Sequence, residues 1–227
     1  MSMNDTQYDA LRALMVQEIA AHVRVAEEQL GKTTLNETVM AAMEKVPRHD
    51  FVPLELRQFA YADTPLPIGN GKTISQPFIV ALMTDLLELS HGDRVLEIGT
   101  GLGYQAAVLA ELASAVFSVE IVEELAHQAR TRHGRLGYRN IEIKLGDGYY
   151  GWPEHAPFDK IIVTAAPELV PPHLIGQLKA GGRMVIPAGI ADAQQLMLVT
   201  KDAAGRTAIR EIFPVRFSVF EAGARED

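Results

Sequence analysis

The chain contains no cysteine. Disulfides, thiolate nucleophiles and cysteine-ligated zinc are therefore excluded at the outset. Basic residues are outnumbered: 21 Lys plus Arg against 29 Asp plus Glu give a net charge of −8. A surface of that sign argues against a broad nucleic-acid or anionic-membrane interface. Long apolar runs are missing too, since no segment approaches the roughly 20 residues of a membrane span. Met1 to Leu14 is broken by polar residues where a secretory leader needs an unbroken apolar stretch. The seven histidines show no paired ligand spacing, so no metal site is expected. What is present is 227 residues, 48% apolar and 22% charged, enough for one sizeable domain with a real core. The expectation is a soluble, cytoplasmic, monomeric protein.

Periodicity divides the chain near residue 92. In Tyr8–Leu30 the residues Leu11, Leu14, Met15, Ile19 and Val23 recur every three or four positions, as one face of a helix requires. The spacing Thr34 to Glu37 predicts a capping box opening a second helix that stops at Pro47. Arg48–Lys72 is rich in Pro and Gly and reads as irregular. Phe78–Leu89 is helical again, with Pro77 in its first turn. Beyond Arg94 short apolar runs alternate with helical segments. Arg94–Gly99, Ala115–Ile121, Ile141–Leu145, Phe158–Ala165 and Arg183–Pro187 read as strands, several apolar on both faces, as buried parallel strands are. Tyr104–Leu112 and Val122–Leu136 read as helices between them. The pattern predicts a doubly wound, mostly parallel α/β sheet. Gln195–Lys201 and Thr207–Val215, joined by a turn, predict a C-terminal antiparallel hairpin. The expected organisation is an N-terminal helical extension (1–91), an α/β domain (92–220) forming one globular unit with it, and a frayed polar tail (221–227).

Chemistry concentrates first in Glu97-Ile-Gly-Thr-Gly-Leu-Gly103, at the end of the first strand of the α/β pattern. Glycines at alternate positions let the backbone turn tightly and approach a ligand, although a plain tight turn uses the same residues. The spacing differs from the dinucleotide fingerprint and from the phosphate loop. Glu120 ends the next strand, about 20 residues on, where a carboxylate accepts from ribose hydroxyls or is simply solvated. Gly146-Asp147-Gly148 closes the third strand, fit to meet an adenine amino group or to make a turn. Three such groups at three successive strand ends describe a pocket for an adenosine-bearing cofactor with no phosphate requirement. S-adenosylmethionine fits; a nicotinamide dinucleotide fits poorly.

Ser75 lies just before the helix that begins at Pro77. It reads either as a helix cap or as a hydroxyl donor beside a helix N-terminus able to hold a carboxylate. No histidine partner for a hydrolytic triad is evident, and the nucleophile-elbow pattern is absent. Trp152 reads as packing, and Arg130-Thr-Arg-His133 as the exposed face of its helix.

Four segments together resemble the protein-L-isoaspartate O-methyltransferases, a family of class I S-adenosylmethionine-dependent enzymes with a Rossmann-like fold. They are Gly71-Lys-Thr-Ile-Ser-Gln-Pro77, Glu97-Ile-Gly-Thr-Gly-Leu-Gly-Tyr-Gln105, Gly146-Asp-Gly148 with Gly151-Trp152, and Ala156-Pro-Phe-Asp-Lys-Ile-Ile-Val-Thr-Ala-Ala-Pro167. The resemblance spans about Thr38 to Val215, and its specific part is Thr-Ile-Ser-Gln-Pro. It implies methyl transfer from S-adenosylmethionine to the α-carboxylate of L-isoaspartyl residues in damaged proteins, the first step of their repair. By the same resemblance Ser75 stands at the substrate carboxylate with Thr73 beside it. Gly99, Thr100, Gly101 and Gly103 cradle the methionine part of the cofactor, Glu120 takes the ribose, and Asp147 and Gly148 flank the adenine. Thr164 lines the cleft, and Gln194 lies near the active site. Lys72 and Ala106 depart from the family's usual glutamine and threonine. Ser218-Val-Phe220 replaces its usual ending after Arg-Phe, which bears on substrate scope. Two other readings stand beside this one: a carboxyl methyltransferase for some other peptide or small molecule, and a cofactor-binding module without catalysis.

Overall fold

The structure, a computed structural model, describes residues 3–221; most of the expected polar tail lies outside the described residues. Before the main sheet come α1 (Asp5–Val25), α2 (Glu27–Leu30), α3 (Glu37–Lys45), the short strands β1 (Leu66–Gly69) and β2 (Lys72–Ile74), and α4 (Pro77–Leu86). The sheet region follows as β3 (Arg94–Ile98), α5 (Tyr104–Ala110), β4 (Ala115–Glu120), α6 (Glu123–Leu136) and β5 (Ile141–Leu145). The chain then forms β6 (Phe158–Val163), α7 (Pro172–Gln177), β7 (Leu178–Ile190), β8 (Ala193–Lys201) and β9 (Thr207–Val215).

Seven strands are ordered β5-β4-β3-β6-β7-β8-β9. The first five are parallel; β8 and β9 run antiparallel to their neighbours. The expected fold class and terminal hairpin are both present, with β8 also pairing antiparallel to β7 along its whole length. The central strands are mostly apolar on both faces because each serves two cores, with Glu97 and Ser118 as buried polar exceptions. Val95, Val116, Ile162 and Val185 face a large cluster shared with α1, α3, α4 and α5. Leu96, Phe117, Ile161 and Met184 face a second cluster closed by Phe158, Leu174 and Leu178. Strand order reverses between β3 and β6, so their carboxyl ends diverge and leave a crevice there.

Three expectations shift. The cap of α3 is Asn36, not Thr34: the Asn36 side chain accepts from the Thr38 N–H at 2.9 Å. Asparagine is a better cap than threonine, and the Asn36 N–H is in turn held by Asp85 at 2.6 Å. Within the stretch read as irregular, β1 and β2 form a hairpin. Its turn is Asn70-Gly71, with φ of 51° and 66°, the left-handed pair that a two-residue hairpin needs. The run Arg130–His133 is not wholly exposed: His133 is buried and its Nε2 bonds to the Gly103 carbonyl at 2.8 Å. Burial holds its imidazole below the usual histidine value.

The helix that opens at the end of the Thr-Ile-Ser-Gln-Pro run, α4, is buried on every side. Its N-terminus is capped from afar: Asp63 accepts from the Phe78 N–H at 2.7 Å and from the Gln76 side chain at 3.1 Å, and also pairs with His22. Asp63→Ala should therefore cost about 1–2 kcal/mol, as loss of a good cap does. For a chain of this size that lowers Tm by about 2–8 °C, readable by thermal unfolding.

Candidate active site

The parallel strands deliver their ends side by side. Gly99 N–H donates to Val119 O at 2.8 Å, Thr164 N–H to Ile98 O at 2.9 Å, and Gly146 N–H to Glu120 O at 2.9 Å. Beyond these ends lies a hollow floored by Gly99, Gly101, Glu120, Gly148 and Thr164. The β1–β2 hairpin walls it with Ile68, Lys72 and Thr73, and the segment Ser218–Glu221 roofs it.

Two floor positions require glycine for different reasons. Gly99 has φ of 93°, and a Cβ there would sit 2.4 Å from Thr164 Oγ1. At Gly148 a Cβ would lie 2.3 Å from Ile98 Cγ2. The cradle is thus kept open by absent side chains. Glu120 stands over it with Oε2 accepting from the Gly101 N–H (2.7 Å) and Oε1 from the Val122 N–H (2.9 Å). Each carboxylate oxygen keeps a lone pair, so the group can still accept from two vicinal hydroxyls. Apolar Ile98, Val119, Ile121 and Leu125 complete the lining, as a nucleoside base and ribose require. The residues present fit an adenosyl ligand.

A second groove adjoins the hollow. It holds Ser75, Gln76 and Ile79 on one side and Phe213–Ser218 on the other. Thr73, Thr164 and Ser218 belong to both linings, so the hollow and the groove share a wall one residue thick. Ser75 is not at the N-cap position of α4; Gln76 occupies it without a side-chain cap bond, and Asp63 supplies the capping carboxylate. The Ser75 carbonyl accepts from Arg48 Nη2 at 2.8 Å.

Some expected site residues lie elsewhere. The Thr100 hydroxyl is turned inward, 2.5 Å from Ser118 Oγ. Gly103 caps α5 and is pressed on His133, where a Cβ would come within 2.4 Å of Nε2; it packs a helix instead of lining the hollow. The Asp147 carboxylate accepts from the Tyr149 N–H at 2.8 Å and caps a single helical turn, while its neighbour Gly148 reaches the floor. Gln194 is buried and clamps the Phe217 backbone, accepting from its N–H (2.6 Å) and donating to its carbonyl (3.2 Å). It thereby holds the roof segment, without lining either cavity. That segment is pinned further by Ala166, whose N–H donates to Ser218 O and whose carbonyl accepts from Phe220 N–H. Lys72 and Glu221 close an ion pair at 2.5 Å between hairpin and roof. The contribution of this roof, and of Arg48 beneath Ser75, had no signal in residue spacing.

Glu97, in the glycine-loop motif, points into the core. Burial pushes its carboxyl up to about 8, the Ser118 hydroxyl bonded to it pulls the other way, and Glu120 nearby raises it. The folded protein then holds a proton that the unfolded chain releases near 4.5, so stability falls as pH rises from about 4.5 to about 8. Glu97→Gln should flatten that slope: its Tm should exceed wild type at pH 8 and match it near pH 4.5. Parallel Tm curves for the two proteins would contradict this.

Sheet order, strand-tip hollow and glycine cradle are those of a class I, S-adenosylmethionine-dependent methyltransferase. Residues 22–223 match the family described as protein-L-isoaspartate(D-aspartate) O-methyltransferase. The chain belongs to that family. It is 63% identical to protein-L-isoaspartate O-methyltransferase 1 of Polaromonas sp. (strain JS666) over 220 residues, 97% of this chain and 93% of the relative. Protein-L-isoaspartate O-methyltransferase 2 of Syntrophobacter fumaroxidans is 56% identical over 220 residues, 96% of this chain and 89% of the relative. A solved protein-L-isoaspartate O-methyltransferase superposes with a TM-score of 0.77 at 30% identity, covering 92% of this chain and 66% of its own. The same fold appears at 23% identity in a Plasmodium falciparum protein crystallised with S-adenosyl-L-homocysteine. That match has a TM-score of 0.71 and covers 89% of this chain and 97% of the other.

Proposed function

We propose that this chain transfers a methyl group from S-adenosylmethionine to the α-carboxylate of L-isoaspartyl residues in damaged proteins. The observation that carries the reading is the shared wall: Thr73, Thr164 and Ser218 border both the adenosyl-fitting hollow and the groove holding Ser75.

In this reading Gly99, Gly101 and Gly148 give the cofactor its room and Glu120 accepts from the ribose, with Asp147 beside the adenine side. When bound, S-adenosylmethionine supplies a methyl group on a sulfonium, electrophilic enough for a carboxylate to take. The substrate carboxylate is ionised at neutral pH and is its own nucleophile, so the protein need supply no general base. Its task is to position and to exclude water. The Ser75 hydroxyl donates to the carboxylate and fixes which oxygen faces the wall. The Thr164 hydroxyl is spent on Ile98 O (3.1 Å) and Gly99 O (2.6 Å), so it shapes the wall without competing for that oxygen. Gln194 acts at one remove, by holding Phe217 and with it the roof. The methyl ester leaves as a better electrophile than the acid, open to attack by the adjacent backbone nitrogen. A net charge of −8 favours action on polypeptides over nucleic acid and, through self-repulsion, a monomer; the location proposed is the cytoplasm.

The test is incorporation of labelled methyl into an isoaspartyl peptide with its aspartyl isomer as control. Label in the isoaspartyl peptide alone is expected; equal labelling, or none, overturns the reading.

A further inference from the structure

Arg48 is the largest fully buried side chain among the described residues. It follows Pro47 at the start of a one-turn 3₁₀ helix, and its guanidinium reaches three separate parts of the fold. Nε donates to the Ala60 carbonyl at 2.8 Å, and Nη2 to the Ser75 carbonyl at 2.8 Å. The guanidinium carbon lies 4.8 Å from the centre of the Tyr104 ring. Nη1 is buried with no hydrogen-bond acceptor. Burial lowers the guanidinium to about 10, against the pull of Tyr104, Asp63 and Tyr61, so it stays charged at neutral pH.

Burying an arginine in this way is costly unless its fork geometry is needed. A stabilising core residue would be apolar here; an arginine leaves one nitrogen unpaired. The partners show what the fork joins. Ser75 belongs to the acceptor groove. Tyr104 is the first residue of α5, immediately after the glycine loop that floors the donor hollow. The two sides come from segments distant in sequence, and Arg48 touches both.

We propose that Arg48 is a positioning residue that sets the spacing between the Ser75 side and the glycine-loop side of the site. It touches neither donor nor acceptor; it acts through the Ser75 carbonyl and the Tyr104 ring. An in-line transfer is sensitive to such spacing, since a misplacement of about 1 Å costs on the order of a hundredfold. The inference rests on the assignment of Ser75 to the carboxylate.

The decisive variant is Arg48→Lys, which keeps the charge but cannot bond both carbonyls and stack on Tyr104 together. Assayed well below its Tm, it should lose about 10- to 100-fold in kcat, with Kd for S-adenosylhomocysteine within about twofold of wild type. Backbone hydrogen exchange at Ser75 and Gln76 should accelerate. Leu174→Ala, in the opposite core and matched for loss of Tm, should keep its kcat. Tyr104→Leu leaves both carbonyl bonds and should lose kcat to a lesser degree; it carries the test if Arg48→Lys does not fold. A kcat within twofold of wild type, or a parallel loss of S-adenosylhomocysteine affinity, overturns the proposal. Should wild type fail to methylate isoaspartyl peptides, the functional reading falls. The exchange rates at Ser75 and Gln76 would then still decide whether Arg48 fixes that segment.

Discussion

Gly99→Val is expected to weaken binding of S-adenosylhomocysteine by on the order of a hundredfold or more, to be read by calorimetry. Two effects add. The backbone at this position has φ of 93°, which a β-branched residue adopts only under strain. The new Cβ also falls 2.4 Å from Thr164 Oγ1, whose hydroxyl is already tied to the Gly99 and Ile98 carbonyls. Either Thr164 swings into the wall between the cavities or the loop lifts into the hollow; both remove the cradle. Gly103→Ala makes the instructive contrast. Its Cβ meets His133 on the far side of the loop, so it should lower Tm and weaken cofactor binding much less. Equal losses of affinity in the two variants would show that the loop acts as one unit and that the hollow is not selectively lined by Gly99.

Ser75→Ala is expected to lower kcat/KM on isoaspartyl peptide by on the order of a hundredfold, the effect of removing one well-placed donor from a reacting oxygen. Kd for S-adenosylhomocysteine should stay within about twofold. The structure sharpens this test. Asp63, not Ser75, caps α4, and the Ser75 atom that ties the segment to Arg48 is its carbonyl, which alanine retains. The hydroxyl can therefore be removed with little effect on Tm. If Tm, cofactor affinity and turnover fall together, Ser75 is structural and the carboxylate is held by something else.

The sheet was readable because burial on both faces leaves successive positions apolar, as at Val95, Leu96 and Ile98, even though the buried Glu97 interrupts the run. Gly99, Gly101, Glu120 and Gly148 were readable because backbone approach and strand-end carboxylates have residue requirements visible in one chain. The hairpin before α4 was also encoded, in Asn70-Gly71, but the Pro and Gly around it masked strands only four and three residues long. Arg48 and His133 could not be read as buried. A polar side chain is sheltered by partners distant in sequence, and local spacing carries no trace of them. Gln194 shows the converse: the resemblance places it near the active site, yet both ends of its amide are spent on the Phe217 backbone. Likewise the Thr100 hydroxyl bonds inward to Ser118, a partner on the next strand.

The short stretch after β9 borders the groove through Arg216 and Phe217 and covers the hollow through Val219 and Phe220, with Ser218 common to both. One mechanical part thus answers to two ligands. Should either ligand shift this stretch on binding, it would alter the affinity for the other, and reciprocity would oblige the second to act back by the same factor.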